Sequence, residues 1–385
     1  MDFSRELEEI RAAGLHRRLR RMDSASSREV IIEERPLLMC ASNNYLGLAD
    51  DPQLQEAAID ALRQFGTGSG GSRLTTGNTA LHEELERALA ELKGTEAALL
   101  FNTGYMANVA ALTTLVGKGD LILSDQWNHA SLIDGARLSR AETQIYGHAD
   151  MADLEAKLAT AQGKYRRILI VTDGVFSMDG DIAPLPAICD LAERCGADVM
   201  VDDAHATGVL GAKGGGTVDH FRLYGRVAVQ MGTLSKSVGA EGGYIAGSRQ
   251  LVEFLLNKAR PFIFSTAQSP AVIGAARAAL QIIAGEPERR HHLLSIADQL
   301  RARLVAEGFK VIPGATPILG VVIGEADRAV AFSRRLEQAG VFAPAIRPPT
   351  VPAGTSRIRL TLTARHSTED LERIVGAFLC AREGE

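Results

Sequence analysis

The sequence VDDAHATG (201–208) decides the fold together with GTLSKSVG (232–239), because each follows a short apolar run. These runs, ADVMV (197–201) and VAVQM (227–231), have the length and composition of buried strands. Both motifs therefore begin at the carboxyl ends of two consecutive predicted strands. In open α/β sheets this edge is where ligands bind, so we expect the two motifs to form one side of a binding site.

The two motifs bring an acid, a histidine and a lysine to this edge of the sheet, namely Asp202, His205 and Lys236. Taken singly, such residues are typical of a turn, a loop histidine and a solvated loop lysine. Taken together, they favour a site for pyridoxal 5′-phosphate (PLP). In such sites the lysine forms a Schiff base and the acid keeps the pyridine nitrogen protonated, so that the ring accepts electrons.

Short apolar strands alternate with helical patterns from about Pro52 to Arg277. The further predicted strands include EAALLF (96–101), DLILSD (120–125), RILIVTD (167–173) and GGYIAGS (242–248). The pattern ALHEELERALAELKG predicts a helix that ends at Gly94. This alternation predicts an α/β fold with a mostly parallel sheet that is covered by helices on both faces.

The pattern changes after about residue 285, where a long charged helix leads into a smaller α+β region. A charged helical pattern also opens the chain and is expected to run to about Met22. We therefore predict three parts. Residues 1–50 form an N-terminal segment that packs with the small domain, 51–285 form the large cofactor-binding domain, and 286–385 form the C-terminal α+β domain.

The composition is that of an ordinary globular protein and excludes several function classes. Of the 385 residues 46% are apolar and 23% are charged. The net charge of −5 does not favour binding to nucleic acid or to an anionic membrane. No apolar run approaches a membrane-spanning length, and the charged N-terminus lacks the pattern of a signal peptide. The four cysteines lack metal-ligand spacing, so we predict no metal site, no disulfide framework and a cytoplasmic location.

Two glycine-containing segments need separate interpretations. GTGSGG (66–71) has the letters of a dinucleotide fingerprint, but a helical pattern precedes it where a strand is required. This disfavours a nicotinamide dehydrogenase and predicts a loop whose backbone approaches another surface or a ligand. NTGYMANVAALTTL (102–115) follows a predicted strand and opens a helix, whose first amides favour a phosphate. An ordinary strand-to-helix turn is the alternative.

Three further positions follow predicted strands or lie on one. His129 stands at a helix start, where it either caps the helix or lies flat against a planar cofactor. Asp173 and Ser177 follow the next strand, and their common location favours a role at the cofactor edge over metal binding. Arg357 and Arg359 share one face of RIRLTLT, where they either bind a substrate carboxylate or are surface residues of an edge strand.

The chain resembles the α-oxoamine synthases, which are PLP-dependent acyltransferases. The motifs SNNYLGL, GSGGSRLTTG, NHASL, TDGVFSMDGDIAPL, VDDAHATGVLG, TLSK and RPFIFST occur in the family's order and cover nearly the whole chain. The resemblance implies the type I (aspartate aminotransferase) fold of PLP-dependent transferases. It also implies that an amino acid condenses with an acyl thioester, with loss of carbon dioxide and release of the thiol.

The resemblance assigns most of the candidate residues to PLP. They are Lys236 as the Schiff-base lysine, Asp202 at the pyridine nitrogen, His205 and Ser177 near the ring hydroxyl, His129 on the ring face, the backbone amides of Gly104 and Tyr105 at the phosphate, and Thr233 beside it.

The resemblance assigns the remaining residues to a neighbouring subunit or to the substrates. Thr266 would reach the phosphate from the partner subunit, which implies a homodimer with shared active sites. Arg359 would hold the carboxylate of the amino acid, and Asn43 would lie near the substrate. We assign Arg20, in the basic run RRLRR, to the acyl substrate.

The segment AIRPPTVPAGTSRIRLTLTARH is most similar to family members that use L-alanine and a pimeloyl thioester. The resemblance therefore implies these substrates, with the pimeloyl group carried by coenzyme A or by an acyl carrier protein. Three alternatives stay open. They are a sister activity that uses glycine and acetyl-CoA, a PLP-dependent lyase or aldolase of the same fold, and a non-catalytic PLP-fold protein.

Overall fold

The structure is a computed structural model that describes residues 1–383. Within this range the strands are β1 (Glu29–Ile32), β2 (Arg35–Met39), β3 (Ala97–Phe101), β4 (Leu121–Asp125), β5 (Glu142–Tyr146), β6 (Ile168–Asp173), β7 (Asp198–Asp202), β8 (Val229–Thr233), β9 (Gly243–Gly247), β10 (Ile318–Gly324), β11 (Val341–Phe342), β12 (Ala345–Ile346) and β13 (Ser356–Thr361). The helices are α1 (Ser4–Ala12), α2 (Pro52–Phe65), α3 (Ala80–Lys93), α4 (Gly104–Leu115), α5 (Ala130–Ser139), α6 (Met151–Ala161), α7 (Leu185–Cys195), α8 (Thr217–Phe221), α9 (Arg249–Lys258), α10 (Arg260–Ile263), α11 (Pro270–Gly285), α12 (Pro287–Ala306), α13 (Ala326–Gln338) and α14 (Thr368–Glu383).

Seven strands form the large sheet in the order β3-β9-β8-β7-β6-β4-β5. The pairs from β8 to β5 are parallel, and β9 runs antiparallel to both β3 and β8. The predicted α/β fold class with a mostly parallel sheet is confirmed. Because β4, β6, β7 and β8 point the same way, the segments that follow them meet at one edge of the sheet.

Each face of the large sheet has its own apolar core, because side chains alternate along the strands. On one face Ile122 and Met200 pack with residues of α4, α5 and α9. On the other face Leu123 and Val201 pack with residues of α6 and α7. Helices therefore cover both faces, as the sequence pattern predicts.

Helix α3 follows its predicted pattern closely. Leu81, Leu85 and Leu89 are buried on one face of this helix. Gly94 ends it with a left-handed φ of +63°, and a Cβ at this position would lie 2.7 Å from a ring carbon of Tyr224. The stop therefore depends on a residue without a side chain.

The N-terminal strands pair with the C-terminal part of the chain, since a small sheet has the order β1-β2-β11. Another small sheet has the order β10-β13-β12, so β13 is central in it. The division at residues 50 and 285 stays a prediction. In residues 1–383 no helix has the length and apolar character needed to cross a membrane.

Two predicted features differ from the structure. The opening helix ends at Ala12 and not near Met22, because Gly14 turns the chain with a φ of +66° and the amide of Leu15 bonds back to Ile10. Strand β5 is absent from the predicted set. It lies at the edge of the sheet, and only Tyr146 among its residues is buried, so its sequence lacks a buried apolar run.

Candidate active site

A cavity of about 180 Å³ lies where the ends of β4, β6, β7 and β8 meet the start of α4. Its lining consists of residues that follow these strands or open the helix: Gly104, Tyr105, Asn108, His129, Ser131, Asp173, Ser177, Asp202, Ala204, His205, Met231, Thr233 and Lys236. All but one of the residues that the sequence assigns to the cofactor are among them. The exception is Thr266.

A chain of hydrogen bonds fixes the amine of Lys236. Its Nζ lies 2.8 Å from Nε2 of His205, whose Nδ1 lies 2.6 Å from the Tyr45 hydroxyl. The hydroxyl donates to Oδ1 of Asn43 at 3.2 Å, so it accepts the hydrogen bond that the Nδ1–H group of His205 donates. Nε2 of His205 is then the acceptor for Lys236.

Burial and neighbouring charge favour the neutral forms of both bases. Burial lowers the pKa of Lys236 to about 8, although the nearby carboxylates of Asp202 and Asp173 act in the opposite direction. Burial, with the charge of Lys236, lowers the pKa of His205 well below its usual value. The pair therefore offers an amine that is partly unprotonated near neutral pH, held by a neutral imidazole.

The acids at the other side of the cavity differ in their surroundings. Asp202 is 4% exposed and accepts hydrogen bonds from Nδ2 of Asn108 at 2.7 Å and from the amide of Ala204 at 2.9 Å. Asp173 accepts one from the amide of His129 at 3.0 Å. Burial, followed by the charge of Asp202, raises the pKa of Asp173 well above its usual value. The Asp202 carboxylate thus accepts two hydrogen bonds and the Asp173 carboxyl group accepts one.

His129 caps α5 and is held in one orientation. Its Nδ1 lies 2.7 Å from Oγ of Ser131 and accepts from the Ser131 amide at 3.2 Å. The imidazole is open to solvent through the cavity, and the protein packed around the rest of the ring lowers its pKa by burial. Both positions that the sequence leaves open, a helix cap and a ring beside the cofactor, are compatible with this geometry.

The N-terminus of α4 forms the third side of the cavity. Thr103 caps this helix by accepting from the Met106 amide at 3.1 Å, and the preceding helical amides have no intrahelical acceptor. A Cβ on Gly104 would lie 3.0 Å from Cε of Met231 and 3.4 Å from the side chain of Thr233. A side chain at position 104 would therefore fit only if the flexible end of Met231 shifted by a few tenths of an ångström. Tyr105 faces outward, where its hydroxyl donates to Asp134.

Arg357 and Arg359 are buried on the central strand β13, so they are not surface residues of an edge strand. Nε of Arg359 donates to the carbonyl of Ser177 at 2.6 Å, and its Nη2 donates to Oδ1 of Asn43 at 3.2 Å. Arg357 instead pairs with Asp179. Arg359 is therefore the arginine that is connected to the Tyr45–His205–Lys236 chain through Asn43.

Two assigned residues lie away from the cavity. Thr266 is exposed, its carbonyl accepts from Nδ2 of Asn102 at 2.9 Å, and it bridges to Ser72 beside the loop GTGSGG. This loop approaches the 266–267 segment through its backbone, since the Ala267 amide donates to the carbonyl of Gly71 at 2.9 Å. The predicted close approach of the loop to another surface is confirmed.

Arg20 is held in a cluster of charges near the N-terminal strands. Its Nη1 lies 2.7 Å from Glu337, its Nη2 lies 2.9 Å from Glu33, and its guanidinium stacks over the Phe342 ring at 5.4 Å. The structure thus does not bring Arg20 to the residues around Lys236. Its assignment to the acyl substrate stays a prediction.

A second cavity, of about 480 Å³, adjoins the first at Ser177, which lines both. We call it the side cavity. Its walls combine apolar and polar side chains and come from the segments after β4 and β6, from α5, from the loop before β13 and from β13 itself: Gln126, Trp127, Asn128, Ile133, Phe176, Ser177, Met178, Asp179, Pro349, Thr350, Val351, Pro352 and Arg357.

Tyr45 and Asn108 belong to the site but are not among the residues predicted from the sequence. Asn108 lies four positions after Gly104, which places both on one face of α4, so helical spacing from the phosphate motif could have indicated it. Tyr45 lies two positions after Asn43 in SNNYLGL, but its partner His205 is 160 positions away in sequence. No local signal predicts that contact.

Comparison with known proteins places the chain in a family. The model of the family "Aminotransferase class I and II" matches residues 36–378. The chain belongs to this family. Two relatives of this aminotransferase-family chain are an 8-amino-7-oxononanoate synthase of Lysinibacillus sphaericus, 52% identical over 97% of this chain and 96% of the relative, and 8-amino-7-oxononanoate synthase 2 of Bacillus subtilis, 53% identical over 98% and 96%.

A solved structure of the same fold contains PLP. Serine palmitoyltransferase from S. paucimobilis, with a bound PLP–myriocin adduct, superimposes with a TM-score of 0.93 at 32% identity, covering 98% of this chain and 96% of that one. The family resemblance and the type I fold predicted from the motifs are confirmed.

The residues around the cavity fit PLP by their chemistry. PLP carries a phosphate, a pyridine nitrogen and an aldehyde. The cavity offers an open helix N-terminus at Gly104, which has no side chain to cover it, a buried carboxylate at Asp202, and the partly neutral amine of Lys236. Oδ1 of Asn108, which shares the lining, is buried without a partner among the described residues. The helix N-terminus, the carboxylate and the amine therefore suit the phosphate, the pyridine nitrogen and the aldehyde of the cofactor, respectively.

Proposed function

We propose that the chain is an 8-amino-7-oxononanoate synthase. It condenses L-alanine with a pimeloyl thioester to 8-amino-7-oxononanoate and releases carbon dioxide and the thiol, a step of biotin biosynthesis. The observation that carries the proposal is the amine of Lys236, with its pKa lowered to about 8, in one cavity with Asp202, His129 and the start of α4. The two synthases that are 52% and 53% identical to this chain support the choice of reaction.

Eight residues of the cavity would hold PLP, and they form four groups. The start of α4 and Thr233 would bind the phosphate, Asp202 the pyridine nitrogen, and Lys236 the aldehyde carbon, with Ser177, His129 and His205 beside the ring. When bound, PLP supplies an electron sink for the negative charge that develops at the α-carbon of the amino acid.

Lys236 is the base of the proposed reaction. Once the amine of L-alanine has displaced it from the aldehyde carbon, the free Nζ would take the α-proton, since an amine with a pKa near 8 is partly neutral near neutral pH and is still basic enough to accept a proton. The hydrogen bond to Nε2 of His205 keeps the amine in the cavity. His205 performs this role only as the neutral imidazole, which its lowered pKa ensures.

Arg359 binds the carboxylate of L-alanine in this proposal. A guanidinium has five N–H donors, more than the bonds that Ser177 and Asn43 accept, so donors remain for a substrate carboxylate. Asn43 also accepts from Tyr45 at 3.2 Å, so the arginine is positioned by the same hydrogen-bond chain that fixes Lys236.

The side cavity would take the pimeloyl chain. It adjoins the first cavity at Ser177, and Ile133, Phe176 and Val351 give it apolar walls suited to methylene groups. Enclosure by these walls would also keep water away from the thioester carbonyl while the carbon–carbon bond forms.

The active protein would be a homodimer with shared sites. Thr266 is exposed and lies outside the cavity of its own chain, which suits a residue that serves the partner's phosphate site. Phe264 is 71% exposed two positions earlier, and Leu74 is 50% exposed near Ser72. Sedimentation of the holoenzyme should show a dimer, and Phe264→Glu should yield monomers with weakened PLP binding; a fully active monomeric wild type would contradict shared sites.

The proposed reaction is tested with L-alanine labelled at its carboxyl carbon. With pimeloyl-CoA the label should leave as carbon dioxide, and mass spectrometry should show unlabelled 8-amino-7-oxononanoate. Lys236→Ala is the control and should release none. Label retained in a product, or carbon dioxide formed without any thioester, would contradict the proposal and favour a lyase or aldolase.

A further inference from the structure

His148 bridges two carboxylates behind the wall of the side cavity. It follows the end of β5, and its Nδ1 lies 3.0 Å from Oδ1 of Asp125 while its Nε2 lies 3.0 Å from Oδ2 of Asp181. Ionised carboxylates only accept hydrogen bonds, so both ring nitrogens must donate. A ring that donates from both nitrogens is an imidazolium.

Two aromatic side chains pack on this imidazolium. The Trp127 ring stacks on it with centroids 3.8 Å apart and planes 17° apart. Phe176 meets it edge to face at 4.4 Å and 88°. A cation over an indole face is stabilised by the electrons of the ring, so the charge of His148 holds Trp127 in place. Trp127 and Phe176 in turn line the side cavity.

The same cluster fixes the segments that lead into the first cavity. Oδ1 of Asp125 also accepts from the Trp127 amide at 2.8 Å, and the carbonyl of Asp181 accepts from the Phe176 amide at 3.0 Å. The residue after Trp127 is Asn128, whose Oδ1 accepts from the Asp173 amide at 2.9 Å. His148 thus joins the two segments that carry the wall residues and Ser177.

We propose that His148 is a positioning residue which, as an imidazolium, sets Trp127 and Phe176 as the wall of the side cavity and thereby determines how tightly the acyl thioester binds. This proposal rests on the proposed function for its substrate. His148 touches neither substrate nor cofactor, so its replacement should change the KM of the acyl thioester and not the chemistry at Lys236.

The charges around His148 give the proposal a pH dependence. Asp125 on β4 and Asp181 after β6 face the ring, and Asp153 on α6 binds the neighbouring Gly147 amide and pairs with Lys157. Burial alone would lower the pKa of His148, but the bonds to Asp125 and Asp181 outweigh it and raise the pKa to about 9. The wall is therefore in place below this pH and loosens as pH rises through about 9.

Trp127 is the sole tryptophan of the chain, so its fluorescence reports the protonation of His148 directly. Because a protonated imidazole quenches indole fluorescence more than a neutral one, emission of the holoenzyme under selective tryptophan excitation should rise with a midpoint near pH 9. The step should vanish in His148→Gln, move to lower pH in Asp181→Asn, and stay unchanged in His291→Gln, a control at an exposed histidine. An unchanged step in His148→Gln would overturn the proposal.

Steady-state kinetics supply the second readout. His148→Gln should raise the KM for pimeloyl-CoA roughly tenfold, with the KM for L-alanine and kcat changed by less than about twofold. His148→Arg should restore the wild-type KM, since arginine also binds both carboxylates and stacks on Trp127, and should lose the rise in KM above pH 9. Equal changes in both KM values would overturn the proposal. If wild type shows the fluorescence step but does not use pimeloyl-CoA, the proposed substrate is wrong, whereas the positioning of Trp127 by His148 is supported.

Discussion

Replacing Arg359 by Met should raise the pKa of Lys236 above the value of about 8 that the wild-type site gives it. Burial is the main cause of that lowered pKa, and Arg359 adds to it through its positive charge, whereas Asp202 and Asp173 oppose it. Removing Arg359 removes a repulsion that acts against the protonated amine. Asp202→Asn should have the opposite effect and lower the pKa further.

The magnitude follows from the two pKa values. At pH 7 an amine with a pKa of about 8 is roughly 10% neutral, whereas one at the ordinary 10.5 is only about 0.03% neutral, a difference of about 300-fold. Since the neutral amine is the nucleophile, the rate at which the apoprotein attaches PLP should rise about tenfold from pH 6 to 7 and level off above pH 8 to 9.

The assay mixes apoprotein with PLP at a series of pH values, reduces the adduct with borohydride and quantifies labelled Lys236 by mass spectrometry. Arg359→Met should move the midpoint to higher pH. Arg347→Met, at a partly exposed arginine whose Nη2 bonds to the Gly14 carbonyl, should leave it unchanged. A wild-type midpoint at or above pH 10, or identical midpoints in Arg359→Met and Asp202→Asn, would refute the electrostatic reasoning.

The remaining predictions concern the support of the site. Lys93→Met should destabilise the protein by about 3–5 kcal/mol in urea unfolding, because the fully buried Asp203 loses the ammonium 2.6 Å away; Lys93→Met with Asp203→Asn should recover part of this, and a single variant as stable as wild type would contradict it. Leu85→Ala, in the buried face of α3, should lower the free energy of unfolding by about 2–5 kcal/mol in the same assay. A decrease below about 1 kcal/mol would contradict this and would show that neighbouring side chains fill the space that Leu85 leaves. Asp202→Asn should bind PLP yet lose turnover by at least about 100-fold in thiol release, since an amide does not stabilise a pyridinium charge; near-normal turnover would exclude the assigned role.

The strands that position the site could be predicted because they are buried on both sides. β4, β6 and β8 consist of buried residues throughout, and β7 is buried from Val199 on, so each appears in the sequence as a short apolar run. The residues that follow such runs meet at one edge of the sheet, which is why Asp202, His205 and Lys236 could be grouped. β5 has mostly exposed or half-buried residues and gives no such run.

Contacts between distant parts of the chain could not be predicted. Tyr45 bonds to His205 across 160 positions, and Arg20 pairs with Glu337 across 317. Neither pair has a periodicity or a spacing that a sequence displays, because the contact exists only after the N-terminal strands pair with β11 and the sheets come together. The same holds for His148, whose two carboxylate partners are 23 and 33 positions away.

The most direct test of the proposed function is thiol release by the PLP-loaded protein, with L-alanine or glycine against pimeloyl-, acetyl-, succinyl- and palmitoyl-CoA. We expect release with L-alanine and pimeloyl-CoA and none from the other pairs above the background of Lys236→Ala. Preference for glycine, or for another thioester, would contradict the proposed substrates and would indicate a sister activity at the same lysine.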